Sequence, residues 1–239
     1  MIRAVLDDFF SKKFLDDHPD EWGIVEHCAH PTSLGYATTI TPKTIYEAVD
    51  RSVDVIVTHH DAWKFMFEQR DEVCGLLQDK GLTHIWAHLP LDLADFGTSS
   101  TLLTKIGCHH VYKPSKGEAR IGKLPTPTSF QSVCSALNSL LQEQPRSIYD
   151  ANRTVQRIGC VTGAGIYTSY IRDAMSHNID MYLTGETNVY LLEYARHHQL
   201  NVAVYSHNYT ELPGVEMFAH RLCRALKLSL KGHLGDAHF

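Results

Sequence analysis

The sequence predicts an α/β fold of two related lobes, each built on a largely parallel sheet, and three observations lead there. Short apolar runs alternate with helical stretches along the chain, the signature of strand–helix–strand units. The runs are almost continuously hydrophobic rather than alternating, as in strands covered on both faces. One helix–strand unit of the first half recurs in the second.

Taken in order, Thr41 is a good capping residue followed by Pro42 at the first helical position, so a helix runs over 42–51. A buried strand over 54–58 follows it, then a helix over 68–80 ended by Gly81 and a second strand over 83–87. The polar stretch 113–118, with Pro125 and Pro127 beyond it, reads as the connection between lobes. That places the first lobe at 1–113 and the second at 114–239, with the C-terminal segment able to pack back on the first. In the second lobe helices are expected over 128–142, 167–177, 189–198 and 215–226, and strands over 157–161, 180–184 and 201–205. Pro145 and the polar run to Arg153 mark an exposed loop.

Composition narrows the function. At 239 residues, 44% hydrophobic and 21% charged, the chain is long and apolar enough for a real core, which argues against wholesale disorder. A net charge of -5 without a long basic run argues against binding nucleic acid by phosphate neutralisation. No apolar run approaches the roughly 18 residues of a membrane span, and acids interrupt the first eight residues where a signal core would lie. Six cysteines without a Cys-x-x-Cys pair read as reduced thiols, and the expected location is the cytoplasm. The unusual number is 16 histidines.

The repeat tells where to look among them. Ala48, Asp54 and Thr58 of the segment 48–58 coincide with Ala174, Asp180 and Thr184 of 174–184. Beyond the strands stand His59-His60 in one copy and Gly185-Glu186 in the other. Each copy then runs through a helix and a strand into His-x-x-x-carboxylate, His88 with Asp92 and His207 with Glu211. Open α/β sheets place ligands at the carboxyl ends of parallel strands. Imidazole and carboxylate suit divalent zinc, manganese, iron or nickel. Four imidazoles and two carboxylates exceed one catalytic zinc and match two metal ions, with three ligands each or a shared carboxylate. Adjacent strand residues face opposite ways, so His59 and His60 are placed to serve different ions.

A family resemblance can then be stated. Val57-Thr58-His59-His60-Asp61-Ala62-Trp63-Lys64 resembles the His-His signature of the NIF-three-like proteins of the YbgI type, often labelled GTP cyclohydrolase I type 2 homologues. Trp86-Ala87-His88-Leu89-Pro90-Leu91-Asp92 is similar to their second motif, Leu183-Thr184-Gly185-Glu186 to the third, and Ser206-His207-Asn208-Tyr209-Thr210-Glu211 to the last. The motifs follow the family's order, and the match runs from about Trp22 to Leu226. The resemblance implies a dinuclear metal centre, a two-lobed fold and a ring-shaped homohexamer. It carries ligand roles onto His59, His60, His88, Asp92, His207 and Glu211. This chain is the short form, without the domain some relatives insert between lobes.

Asp61-Ala62-Trp63 departs from the family's usual small or aromatic residues. Asp61 is read first as a cap for the helix that follows, and otherwise as a contact to a metal-bound water. Glu186 either moves a proton, supports a ligand from behind or simply begins a helix. Thr162-Gly163-Ala164-Gly165 is either a phosphate cradle or an ordinary turn. The activity expected is metal-dependent hydrolysis of a purine nucleotide or a related substrate, with Lys64, Arg120 and Lys123 as contributors to a basic wall. The alternatives are a metal-handling protein without catalysis, and a scaffold or regulatory ring. The remaining histidines, among them His27, His30, His109, His110, His197, His198, His233 and His238, are expected in surface or packing roles, the last two in a C-terminal tail.

Overall fold

The structure, a computed structural model, describes residues 1–235; His238 lies outside them. The chain groups into two compact units, one comprising 1–97 with the described residues from Gly214 onward, the other 98–213.

The first unit holds α1 (Ile2–Phe10), α2 (Lys12–Asp17), β1 (Trp22–Val25), β2 (Ser33–Tyr36), α3 (Pro42–Asp50), β3 (Val55–Thr58), α4 (Glu68–Lys80), β4 (Thr83–Ala87) and α5 (Leu89–Leu93). The second holds α6 (Thr98–Lys105), β5 (His109–Tyr112), β6 (Arg120–Thr128), α7 (Phe130–Leu141), β7 (Ser147–Tyr149), β8 (Val155–Val161), α8 (Thr168–Met175), β9 (Met181–Thr184), α9 (Val189–His197) and β10 (Asn201–Val204). Helix α10 (His207–Leu226) starts in the second unit and continues through Pro213 into the first, which β11 (Ser229–His233) completes.

The five-stranded sheet has the order β1-β4-β3-β2-β11, parallel except for β1 against β4. The six-stranded sheet has the order β5-β6-β8-β9-β10-β7, in which a parallel core of β8, β9 and β10 is flanked by antiparallel strands. The parallel cores are those expected from the continuous apolar runs. Tyr182, Val202 and Val204 pack on one face of the second sheet with α8 and α9, while Met181, Leu183 and Ala203 pack on the other with α7. Each such fully buried aliphatic or aromatic side chain contributes roughly 1.5–3 kcal/mol of burial free energy.

The repeat is structural. Strands β1-β4-β3-β2 and β7-β10-β9-β8 occur in matching order and orientation. Asp54 Oδ2 accepts the backbone N–H groups of Thr32 and Ser33 at 2.7 and 3.0 Å. Asp180 Oδ2 does the same for Gln156 and Arg157 at 2.9 and 2.8 Å. The shared aspartate therefore ties the start of its own strand to the start of the parallel neighbour. Two residues earlier, Ser52 and Asn178 both take left-handed backbone, φ 52° and 55°. Sheet register aligns Thr83 with Asn201, since Val55 pairs with Thr83 and Met181 with Asn201. That alignment sets His88 opposite Ser206, so the two His-x-x-x-carboxylate motifs are one residue out of step.

Other expectations are adjusted. The stretch 113–118 connects β5 to β6 inside the second unit, whose boundaries fall at Gly97/Thr98 and Pro213/Gly214. Pro125 and Pro127 lie within β6, where the pairing with β8 is irregular between Lys123 and Thr128, a place in a sheet that tolerates proline. The loop after Pro145 contains β7, and His233 belongs to β11 rather than to a tail. Helix α10 begins eight residues before the expected 215. No helix among the described residues is long and apolar enough to cross a membrane.

Candidate metal centre

The four candidate imidazoles lie just beyond parallel strands, and the carboxylates of Asp92 and Glu211 follow in helices α5 and α10. Strand β3 ends at Thr58, so His59 and His60 follow it directly, and His88 follows β4 in the same way. In the second unit Gly163 lies just beyond β8, Glu186 beyond β9, and His207 opens α10 after β10.

In the first unit one ligand atom from each of His59, His60 and His88 lies within 4.8 Å of the others. The rings of His59 and His60 are 4.7 Å apart and those of His59 and His88 4.8 Å. Both adjacent histidines thus bring a ligand atom to this cluster. The alternation rule applies along a strand, and this strand has already ended. Asp92, in α5, brings Oδ1 to 3.5 Å from His59 Nε2. His59 is fully buried, while His88 and Asp92 are 37% and 35% exposed, so the cluster has a closed floor and an open side.

Hydrogen bonds decide which nitrogen each ring presents. His59 Nδ1–H donates to the Ala87 carbonyl at 2.9 Å. His88 Nδ1–H donates to Glu21 at 2.7 Å. A carbonyl or an ionised carboxylate only accepts, so in both rings Nδ1 carries the hydrogen of this bond and Nε2 is the remaining nitrogen. His60 Nδ1 is tied to the Thr39 hydroxyl at 2.9 Å. Anchoring Nδ1 on an oxygen while offering Nε2 is how proteins orient imidazole ligands. Behind these residues Thr58 Oγ1 donates to the His60 carbonyl at 2.7 Å and accepts from His84 Nε2–H at 2.8 Å. Burial holds the His84 imidazole neutral, its pKa pushed down to about 3.

The second unit repeats the arrangement with different residues. His207 Nδ1–H donates to Glu186 at 2.5 Å, and His207 Nε2 lies 3.2 Å from Glu211 Oε1 one helical turn on. Burial opposes the imidazolium of His207, but the bonds and charges of Glu211 and Glu186 outweigh it and raise its pKa to about 9. Gly163, at φ 61°, lies against this pair: a Cβ there would stand 2.1 Å from Glu211 Oε1 and 2.9 Å from His207 Nε2. Thr210 accepts the Gly163 N–H at 3.0 Å and donates to the His207 carbonyl at 2.7 Å, which fixes the loop on the first turn of α10.

These contacts settle several alternatives. The 162–165 loop is not a phosphate cradle. Its N–H groups at Thr162, Gly163 and Gly165 go to Ser99, Thr210 and the Gly163 carbonyl. Asp61 does not cap a helix, because neither the short turn Lys64–Met66 nor α4 has a side-chain capping bond. Its carboxylate lies 3.9 Å from both Arg70 and His84, and burial raises its pKa. Of the expected basic residues, Lys64 and Lys123 are exposed and Arg120 is buried in β6. Glu21 and Thr39 are absent from the sequence reading. Glu21 has a recoverable signal, since the β1–β4 register that pairs Trp22 with Ala87 places it opposite His88.

Within each unit imidazole nitrogen stands beside carboxylate oxygen, at His59 with Asp92 and at His207 with Glu211, donor types that fit a divalent first-row metal ion. The other histidines take part in no cluster of three metal-competent donors among the described residues.

Comparison with known proteins follows the same line. The family model for DUF34/NIF3 (NGG1p interacting factor 3) matches residues 2–233. A Halobacterium salinarum protein named GTP cyclohydrolase 1 type 2 homolog is 27% identical over 195 residues, covering 76% of each chain. A Salmonella typhimurium protein of the same name is 26% identical over 233 residues, covering 92% of this chain and 91% of its own. Among solved structures, TTHA1606 from Thermus thermophilus has a TM-score of 0.83 at 22% identity, covering 98% of this chain and 96% of that one. Reduced HcgD from Methanocaldococcus jannaschii has a TM-score of 0.78 at 21% identity, with the same coverage. At such identities the structural likeness shows the fold.

Proposed function

The chain belongs to the DUF34/NIF3 family, and on that premise we propose that it is a dinuclear metal-binding protein acting as a metal-dependent hydrolase on a purine nucleotide or related substrate. The observation that carries this reading is the convergence of His59, His60 and His88, with Nδ1 of each held on an oxygen. Asp92 beside them, and His207 with Glu211 in the second unit, complete the proposed ligand set for two divalent ions. Bound there, such ions would lower the pKa of a coordinated water and polarise a substrate oxygen.

The protein's own part is orientation. Ala87, Thr39, Glu21 and Glu186 hold the four imidazoles, and the buried floor around His59 excludes bulk water. Glu186 is a positioning residue that acts through His207, and proton transfer by it is an additional role within this proposal. The wider reading includes a cytoplasmic, ring-shaped homohexamer, which a native mass measurement tests directly.

Replacing His59 and His88 together by alanine is expected to abolish bound metal in a folded protein, and unchanged metal by elemental analysis would overturn the ligand assignment. For the activity, metal-replete protein should convert GTP to a ring-opened or formylated product. Absence of any product with both ions bound favours metal storage or delivery instead.

A further inference from the structure

Beyond Asp61 and Ala62, which follow the His-His pair, the chain runs through Trp63-Lys64-Phe65-Met66-Phe67, a segment none of the metal chemistry uses. Trp63 sets its ring edge-on to His88 at 5.5 Å and to Trp86 at 5.1 Å, so the indole stands beside a proposed metal ligand. Phe65 lies nearly parallel to Trp63, 18° between planes with centroids 6.3 Å apart, and is 66% exposed. Phe67 is 72% exposed and adopts φ 48°, ψ -122°. That region belongs to glycine, which would make the same turn without strain. A phenylalanine held there, where the chain turns into α4 and with its ring in solvent, carries a local backbone cost, and such costs concentrate where ligands bind. Lys64, next to Phe65 in sequence, is exposed and forms no ion pair among the described residues.

We propose that Trp63, Lys64, Phe65 and Phe67 form the substrate-recognition segment of the metal centre. Phe65 and Phe67 stack the planar heteroaromatic ring of an anionic substrate, Lys64 pairs with its phosphate, and Trp63 sets the segment against His88. Stacking on exposed rings accepts any base through its π-face, and an adjacent lysine adds charge recognition. The proposal rests on the reading of the site as a nucleotide hydrolase and names the residues by which the substrate is held.

The test uses the full chain loaded with manganese, with calorimetric titration of GTP, guanosine and ribose 5-phosphate. Phe65→Ala with Phe67→Ala should weaken GTP and guanosine at least tenfold, with ribose 5-phosphate, metal content and native mass unchanged. Lys64→Met should weaken GTP and ribose 5-phosphate and leave guanosine as it was. The proposal is overturned if the wild-type protein binds neither GTP nor guanosine, or if the aromatic variant binds them undiminished. It is equally overturned if that variant keeps its nucleotide affinity and changes only native mass, because the rings then belong to a contact between copies. Nucleotide binding that depends on the segment without turnover removes the hydrolase reading alone, whereas turnover with insensitive binding removes this proposal alone.

Discussion

Replacing Gly163 by alanine separates the architecture of the second unit's donors from the general stability of the fold. The added Cβ would lie 2.1 Å from Glu211 Oε1 and 2.9 Å from His207 Nε2, inside the 3.0 Å that real Cβ atoms keep. Glu211 is only 4% exposed, so its carboxylate has little room to withdraw by the nearly 1 Å required. Metal sites tolerate deviations of only about 0.2 Å in ligand distance. The left-handed backbone at φ 61° costs alanine a further 1–2 kcal/mol or so. The variant is therefore expected to lose about 1–3 kcal/mol of stability in a denaturant titration and to bind metal at His207 and Glu211 at least about 100-fold more weakly. Gly75→Ala is the matched control, because nothing lies within 4 Å of a Cβ built at that position in α4. It should gain about 0.5–1 kcal/mol with metal binding unchanged. Competition of each protein with a chelator of known affinity, read by elemental analysis, gives the comparison. A Gly163→Ala protein as stable as wild type, with undiminished metal affinity, would refute the reasoning.

Other outcomes follow from individual contacts. Glu21→Gln weakens the acceptor for His88 Nδ1–H and should reduce metal affinity about 10- to 100-fold, with a superimposable melting curve; equal affinity removes the orienting role. His207, with its pKa raised to about 9, must lose a proton to take a metal ion, so affinity at its site should rise about tenfold per pH unit from 7 toward 9. In the metal-free chain the same raised pKa contributes stability that is complete below about pH 6.5 and lost as pH climbs through about 9. A pH-independent metal titration over that range contradicts the assignment. His84 has the opposite shift, to about 3, so the unfolded chain takes up its proton first as pH falls. The difference in stability between wild type and His84→Gln should change by about 1.4 kcal/mol per pH unit below about 6.5, and parallel pH profiles would exclude this.

Legibility in the sequence followed the length of the apolar run rather than burial alone, since β2 is fully buried yet its Ser-Leu-Gly-Tyr carries no such run. Strands β3, β4, β8, β9 and β10, covered on both faces, announced themselves by continuous apolar runs within a residue or two of their ends. Strands β1, β5 and β7 at sheet edges did not, nor did the irregular β6, because short or partly exposed strands carry too little hydrophobic signal and prolines look like a linker. Helix α10 is expected from 215, yet it begins at His207 and passes through Pro213. The repeat is visible in Ala, Asp and Thr, and the matching hydrogen bonds of Asp54 and Asp180 explain why the aspartates coincide.

The sequence by itself determined the kind of fold and the donors available to a metal. In a parallel sheet the residues just past each strand gather at one edge, so naming the strands names the donors. What only tertiary structure decided is how those donors are aimed. The oxygens that anchor His59, His60, His88 and His207 come from Ala87, Thr39, Glu21 and Glu186, which are 28, 21, 67 and 21 residues away along the chain. No local pattern encodes such a pairing. It exists only when strand order and register bring the two residues together, and it is this contact that turns each imidazole so that Nε2 is the atom on offer.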